Sequence, residues 1–178
     1  MEEDPDSPLC LDNQVCFALY SASRALTNVY RPLLAELGLT YPQYLAMLVL
    51  WERGAVTVKN LGAALRLDSG TLSPLLKRLR EAGLITKVRS DDDERSVRVA
   101  PTPAGAELKQ RARHVPEAMR CSTGMDTGEL LELRSTLERL TEHVERATSE
   151  AHGKSPDDAG AERARSSKVD AGTGDSES

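Results

Sequence analysis

The chain is short of aromatics, cysteines and long apolar runs. Only six of its 178 residues carry an aromatic ring: Phe17, Tyr20, Tyr30, Tyr41, Tyr44 and Trp51. All six lie between positions 17 and 51, beside Cys16, so rings and phenols have a local use in that third of the chain. Three cysteines are too few for a disulfide scaffold. No apolar run approaches the roughly 20 residues a membrane helix needs, which argues against a membrane protein. Residues 1–8 are acidic and lack the apolar stretch of a signal peptide, so a reducing, cytoplasmic compartment is expected. His114, His143 and His152 are scattered without metal-ligand spacing, and Cys10, Cys16 and Cys121 form no zinc pattern. No Gly-rich phosphate loop or catalytic triad is present. A metal site, a phosphate-binding cofactor site and triad catalysis therefore have no residues to stand on.

The charge is unevenly placed. The formal net charge is −5, yet residues 1–8 hold four acids, and residues 150–178 hold seven acids against four bases. Residues 57–98 carry nine Lys/Arg against six Asp/Glu. The acidity sits at the ends and the basic charge in the middle, a weak footprint for a polyanion partner. The tail from about Ser149 has almost no large apolar residue, so 149–178, like 1–8, reads as disordered. Residues 9–148 read as one domain.

Within that domain the periodicity is mostly helical. Asp12 is placed to cap a first helix over about 12–37, with Pro32 distorting its end. A second helix starts with Thr40 or Tyr41 as cap and Pro42 in its first turn, and Gly54 stops it. Thr57 caps a short helix, Arg66-Leu67 is a turn, and Asp68 caps another helix over 69–82. Two β-branched segments, 85–88 and 97–100, flank a polar hairpin. Helix-turn-helix followed by a hairpin is a winged helix, so the fold class is mainly α with a small β-wing, and a DNA-binding lobe spans about 54–101. A helix over 103–118 and a last helix over 126–146 follow, with a polar link between them that holds Cys121. The first and last helices have no evident partner inside so small a lobe, so the helical regions about 12–37 and 103–146 are assigned to a homodimer interface.

A recognition helix enters the major groove and presents side chains to base edges. Ser69, Gly70, Thr71 and Ser73 lie at its N-terminal end, small and polar. Lys77 and Arg78 follow at phosphate-contacting distance along the helix. In the wing, Asp93 is placed to orient Arg95 so that its guanidinium enters the minor groove. Taken singly, each of these charges is equally an ordinary solvated side chain; the order of elements is what favours double-stranded DNA.

The run Leu67-Asp68-Ser69-Gly70-Thr71-Leu72-Ser73-Pro74-Leu75-Leu76-Lys77-Arg78-Leu79, with Gly83-Leu84-Ile85 and Asp93-Glu94-Arg95, resembles the MarR family of winged-helix regulators. The resemblance covers roughly 9–146 and implies a homodimer on an inverted-repeat operator.

Cys16 taken alone is most simply a buried, inert core thiol. Geometry offers an alternative. Cys16 and Tyr30 lie 14 residues apart, within about 40° of one helix face but roughly 21 Å apart along it. They cannot touch within one straight helix, but they can meet across a two-fold dimer, and Tyr41 can join them. Phenols donating to sulfur, and the N-terminal end of a helix near Asp12 and Asn13, favour the thiolate, the form that attacks a peroxide. Leu11-Asp12-Asn13-Gln14-Val15-Cys16-Phe17-Ala18-Leu19-Tyr20, with Leu39-Thr40-Tyr41-Pro42-Gln43-Tyr44, resembles the organic-hydroperoxide-sensing subgroup of that family. The resemblance implies that Cys16 is oxidised to a sulfenic acid, that Tyr30 and Tyr41 of the partner subunit hold it, and that Tyr20 belongs to the same site. It also implies that Cys121 resolves the sulfenic acid as an inter-subunit disulfide. Cys10 lies outside the subgroup pattern and is either incidental or a competing resolving thiol.

The expected function is thus a redox-switched repressor that needs no cofactor, with an organic hydroperoxide as oxidant. A repressor released by a phenolic ligand in the dimer cleft is the alternative within the same fold. A thiol peroxidase using Cys16 and Cys121 would leave the winged helix unexplained.

Overall fold

The computed structural model describes residues 9–89 and 97–153. They belong to two compact units, Met1–Gly124 and Met125–Ser178. The first unit runs α1 (Val15–Ala35), α2 (Tyr41–Arg53), β1 (Val56–Thr57), α3 (Val58–Leu65), α4 (Ser69–Glu81), β2 (Ile85–Arg89), β3 (Val97–Pro101), α5 (Pro103–Arg111) and α6 (Val115–Thr123). The second unit contains α7 (Thr127–Gly153).

Local chemistry sets most of these boundaries. Thr40 and Gln43 form a reciprocal cap at the start of α2, the Thr40 N–H donating to Gln43 Oε1 at 2.8 Å. Gly54 (φ 69°) and Gly83 (φ 70°) end α2 and α4 in a backbone region that side chains resist. Thr57 Oγ1 accepts from the Asn60 N–H at 3.0 Å to start α3. Arg66 then adopts a left-handed φ of 54°, which closes the turn between α3 and α4 within three residues. In the second unit the Asp126 N–H donates to Glu129 Oε2 and the Glu129 N–H to Asp126 Oδ1, a second capping pair.

The core of the first unit is almost wholly aliphatic. Met47 and Leu50 of α2, Leu61 of α3, Leu72 and Leu79 of α4, Val99 of β3 and Val115 of α6 are essentially sealed from solvent. Burying each such side chain is worth about 2 kcal/mol. The sheet is antiparallel in the order β1-β3-β2, with Val56 opposite Val99 and Lys87 also opposite Val99 on the other side. The two-residue β1 is too short to show any alternation in sequence, and it makes the expected two-stranded hairpin a three-stranded sheet.

Several boundaries differ from expectation. Asp12 does not cap α1: residues Leu11–Asn13 form a 3-10 turn and Gln14 is the cap residue, its Nε2 folding back onto the Cys10 carbonyl at 3.2 Å. The single helix expected over 103–118 is two helices, α5 and α6, joined by a 3-10 turn at Ala112–His114. Pro116 explains the break, because it cannot donate to the Ala112 carbonyl and its ring crowds that oxygen. Cys121 consequently lies in the last turn of α6 and not in a polar link. Helix α7 continues to Gly153, past both Arg146 and Ser149, the expected ends of the helix and of the ordered chain; Ala147 and Glu150 are residue types that favour helix. The first helix also has a partner within its own unit: Leu34 is 1% exposed and Tyr30 and Leu33 pack on the core, because α1 ends against α2 and α6. The disorder expected for 1–8 and 154–178 lies outside the described residues.

One close approach ties the lobe together. A Cβ at Gly105 of α5 would collide with the Leu84 carbonyl oxygen and meet Met47 Cε at 3.3 Å. Thr102, the cap of α5, donates its hydroxyl to the Gly83 carbonyl at 2.6 Å and its N–H to the Leu84 carbonyl at 3.0 Å.

Candidate DNA interface and redox site

The amphipathic pattern of α4 divides it cleanly. Leu72, Leu75, Leu76 and Leu79 are buried, and Ser69, Gly70, Thr71, Ser73, Pro74, Lys77 and Arg78 are exposed. Asp68 accepts from the Thr71 N–H and from the Thr71 hydroxyl, both at 2.9 Å, and these bonds hold its carboxyl below the usual range. Ser73 donates back to the Ser69 carbonyl at 2.7 Å. Lys77 lies 3.8 Å from Glu81 and is two-thirds exposed, so this loose pair leaves the ammonium able to take another anion. The face thus offers hydroxyls, a glycine and two cations to a groove. Pro74 lies at its centre and is not among the expected contacts, although its position three residues after Thr71 and three before Lys77 marks it.

At the base of the wing, Arg98 of β3 donates to the Ala55 carbonyl at 2.9 Å. Asp93 and Arg95 lie outside the described residues.

The phenols behave as the spacing predicts in one respect and exceed it in another. Tyr30 of α1 and Tyr41 of α2 stand with ring centroids 4.6 Å apart. Tyr44 adds to them, 6.0 Å from Tyr30 and 6.2 Å from Trp51. Tyr41, Tyr44 and Trp51 follow at steps of three and seven, one face of a helix, and this periodicity is the signal that marks Tyr44 and Trp51 as further members. Burial, then the neighbouring Tyr41 and Tyr44, pushes the Tyr30 phenol up to about 12; burial also raises Tyr41 and Tyr44. All three are neutral hydrogen-bond donors near pH 7. Folded Tyr30 keeps a proton that the unfolded chain loses near pH 10. Its contribution to stability is therefore full below pH 10 and is lost as pH rises towards 12. Denaturant midpoints should fall across that window for the wild type and be flatter for Tyr30→Phe.

Cys16 is exposed, at the second position of α1, and is a free thiol like Cys10 and Cys121. A straight α1 keeps Cys16 some 21 Å along the helix from Tyr30. Tyr20 does not join the phenol cluster: it is 56% exposed, and Arg24 donates to its hydroxyl at 2.8 Å and lies over its ring. Cys121 donates through Sγ to Glu117 Oε1 at 3.7 Å, beside a Glu117–Arg120 pair closed at 2.6 Å. Around Cys16, Leu9, Leu11, Val15 and Tyr20 are each more than half exposed. A groove of about 440 Å³ lies behind Tyr44, lined by Leu48, Trp51, Lys109, Arg113 and Pro116. Among the described residues no cluster of three metal-ligating side chains forms, and no helix is long and apolar enough to cross a membrane.

The family model of the transcriptional regulator SarA/Rot matches residues 28–112. The chain is 49% identical to the organic hydroperoxide resistance transcriptional regulator of Bacillus subtilis over 132 residues, 74% of this chain and 90% of that protein. Its fold is similar to that of AbfR, a Staphylococcus epidermidis protein. Reduced AbfR bound to DNA has a TM-score of 0.63 at 34% identity, covering 75% of this chain and 93% of that one. AbfR with a disulfide formed has a TM-score of 0.53 at 34% identity, covering 78% and 92%. With its helix-turn-helix, three-stranded sheet and flanking helices, the chain belongs to the MarR family of winged-helix transcriptional regulators.

Proposed function

We propose that the chain is a homodimeric, cytoplasmic repressor that leaves its operator when an organic hydroperoxide oxidises Cys16. The observation that carries this reading is the pair of neutral phenols, Tyr30 and Tyr41, assembled 4.6 Å apart yet separated from the Cys16 of their own chain. Two donors set far from their own sulfur suit a thiolate brought by a second copy. The apolar side chains near Cys16 in sequence, Leu9, Leu11, Val15 and Tyr20, are exposed and so available to such an assembly. The B. subtilis relative is named for organic hydroperoxide resistance, and AbfR is known both reduced on DNA and in a disulfide form.

In the reduced dimer, Ser69, Gly70, Thr71 and Ser73 face base edges of an inverted repeat, Lys77 and Arg78 contact phosphates, and Arg95, oriented by Asp93, enters the minor groove. The Cys16 thiolate attacks the terminal oxygen of the hydroperoxide. The O–O bond breaks, sulfur is oxidised to sulfenic acid, and the peroxide leaves as an alcohol after taking one proton. The Cys121 thiol of the other subunit then attacks the sulfenic sulfur; a disulfide forms and water leaves. Cys10 is incidental to that step. Phe17 and Leu19 beside Cys16 favour organic peroxides over H₂O₂. The disulfide shifts the helices that carry it and changes the spacing of the two α4 helices, so both half-sites cannot be held together.

The test is operator binding titrated with an organic hydroperoxide and with H₂O₂, for wild type, Cys16→Ser and Cys121→Ser. Organic hydroperoxide is expected to release the wild type while Cys16→Ser stays bound, and a disulfide-linked dimer should be absent from Cys121→Ser on a non-reducing gel. The groove behind Tyr44 favours one competing reading, release by a small ligand; equal release of Cys16→Ser and wild type would establish it.

A further inference from the structure

Trp51 is the only tryptophan of the chain, and it joins the phenol cluster to the start of α5. On one side its ring meets Tyr44 edge-on, and Tyr44 in turn meets Tyr30. On the other side its indole N–H donates to the Gly105 carbonyl of α5 at 2.7 Å, and the Trp51 carbonyl accepts from Lys109 Nζ at 2.9 Å. The Gly105 N–H donates to Thr102 Oγ1 at 3.1 Å. The Thr102 hydroxyl donates to the Gly83 carbonyl at 2.6 Å, at the end of α4. No slack lies in this path, because Gly105 is seated against the Leu84 carbonyl so closely that a Cβ has no room. Close-packed interiors pass on small displacements instead of absorbing them.

We infer that Trp51 is the positioning residue that couples the phenol pair to the recognition helix, through its bond to Gly105 and the bond of Thr102 to Gly83. Rearrangement of the phenols as the partner sulfur they donate to is oxidised turns the Tyr44 ring. Trp51 carries that movement to the start of α5, and Thr102 carries it to the end of α4. Trp51 has this role only if the redox switch proposed above operates.

The test compares Trp51→Phe, Thr102→Val and Thr102→Ser in the full chain, using cumene hydroperoxide as the oxidant. Trp51→Phe keeps a ring against Tyr44 and removes the N–H; Thr102→Val removes the hydroxyl, and Thr102→Ser retains it. Three quantities are read: the rate of sulfenic acid formation by chemical trapping, operator Kd when reduced, and operator Kd when oxidised. Trp51→Phe and Thr102→Val are expected to oxidise at the wild-type rate but to show a ratio of oxidised to reduced Kd about tenfold smaller than wild type. Thr102→Ser should keep the wild-type ratio. If wild type responds and both Trp51→Phe and Thr102→Val keep its ratio, the coupling role is overturned and the redox switch stands. If wild type itself shows no change in Kd on oxidation, the switch falls and the coupling role with it. Should Trp51→Phe fail to fold, the Thr102→Val and Thr102→Ser pair decides between the same outcomes.

Discussion

Gly105→Ala is expected to destabilise the protein by about 3 kcal/mol, although alanine is the better helix former by about 1 kcal/mol. The sign is the informative part. In an open helical position the substitution would stabilise. At position 105 the added methyl collides with the Leu84 carbonyl, which is backbone and cannot swing aside, and it presses on Met47 Cε at 3.3 Å. Moving α5 outward to make room would stretch the Trp51–Gly105 bond and the bond from the Thr102 hydroxyl to Gly83. Thermal unfolding should show the melting temperature lowered by about 10 °C. Gly128→Ala in α7 is the control. Its new methyl would meet only the Asp126 carboxylate oxygen at 3.1 Å, which needs to yield only a few tenths of an ångström while still capping Glu129, so the melting temperature should stay near the wild-type value. A rise for Gly105→Ala would refute the close packing of α5 on the end of α4.

Replacing both Tyr30 and Tyr41 with Phe should slow oxidation of Cys16 by about two orders of magnitude while operator binding by the reduced protein stays near wild type. A hydrogen bond to a charged group is worth about 1.5–3 kcal/mol, so losing one donor lowers the thiolate population, and with it the oxidation rate, by roughly tenfold or more, and losing two compounds it. The rings remain, so their packing against the core is kept. Neither residue lies on α4, which is why reduced-state DNA affinity serves as the internal control. Stopped-flow trapping of sulfenic acid measures the rate. Single variants separate the two phenols. An unchanged rate in the double variant would remove the phenols from the site and leave Cys16 activated by its helix end alone.

The elements with strong local signals are legible in the amino-acid sequence. Thr57, Asp68 and Gly83 bracket the helix-turn-helix because capping and left-handed turns depend on one or two residues acting on their own neighbours. Leucines spaced by three and four mark the buried face of α4 for the same reason. The alternation that marks a strand needs several residues, so the two-residue β1, which exists only because β3 offers it a ladder, leaves no trace. The proline at 116 is visible, but its consequence, a 3-10 turn followed by a separate α6 holding Cys121, depends on what α5 and α6 pack against.

The division runs the same way at the site. Sequence alone determined the winged-helix order, the exposed face of α4, and the pairing of Tyr30 with Tyr41, since each follows from helical periodicity, short-range caps and family resemblance. Only the tertiary structure decided that Tyr44 and Trp51 extend that pair, that Tyr20 pairs with Arg24 instead, and that Trp51 reaches Gly105, 54 residues away in sequence. The physical reason is that a hydrogen bond between distant segments depends on the packing of every element between them, and no local pattern encodes it.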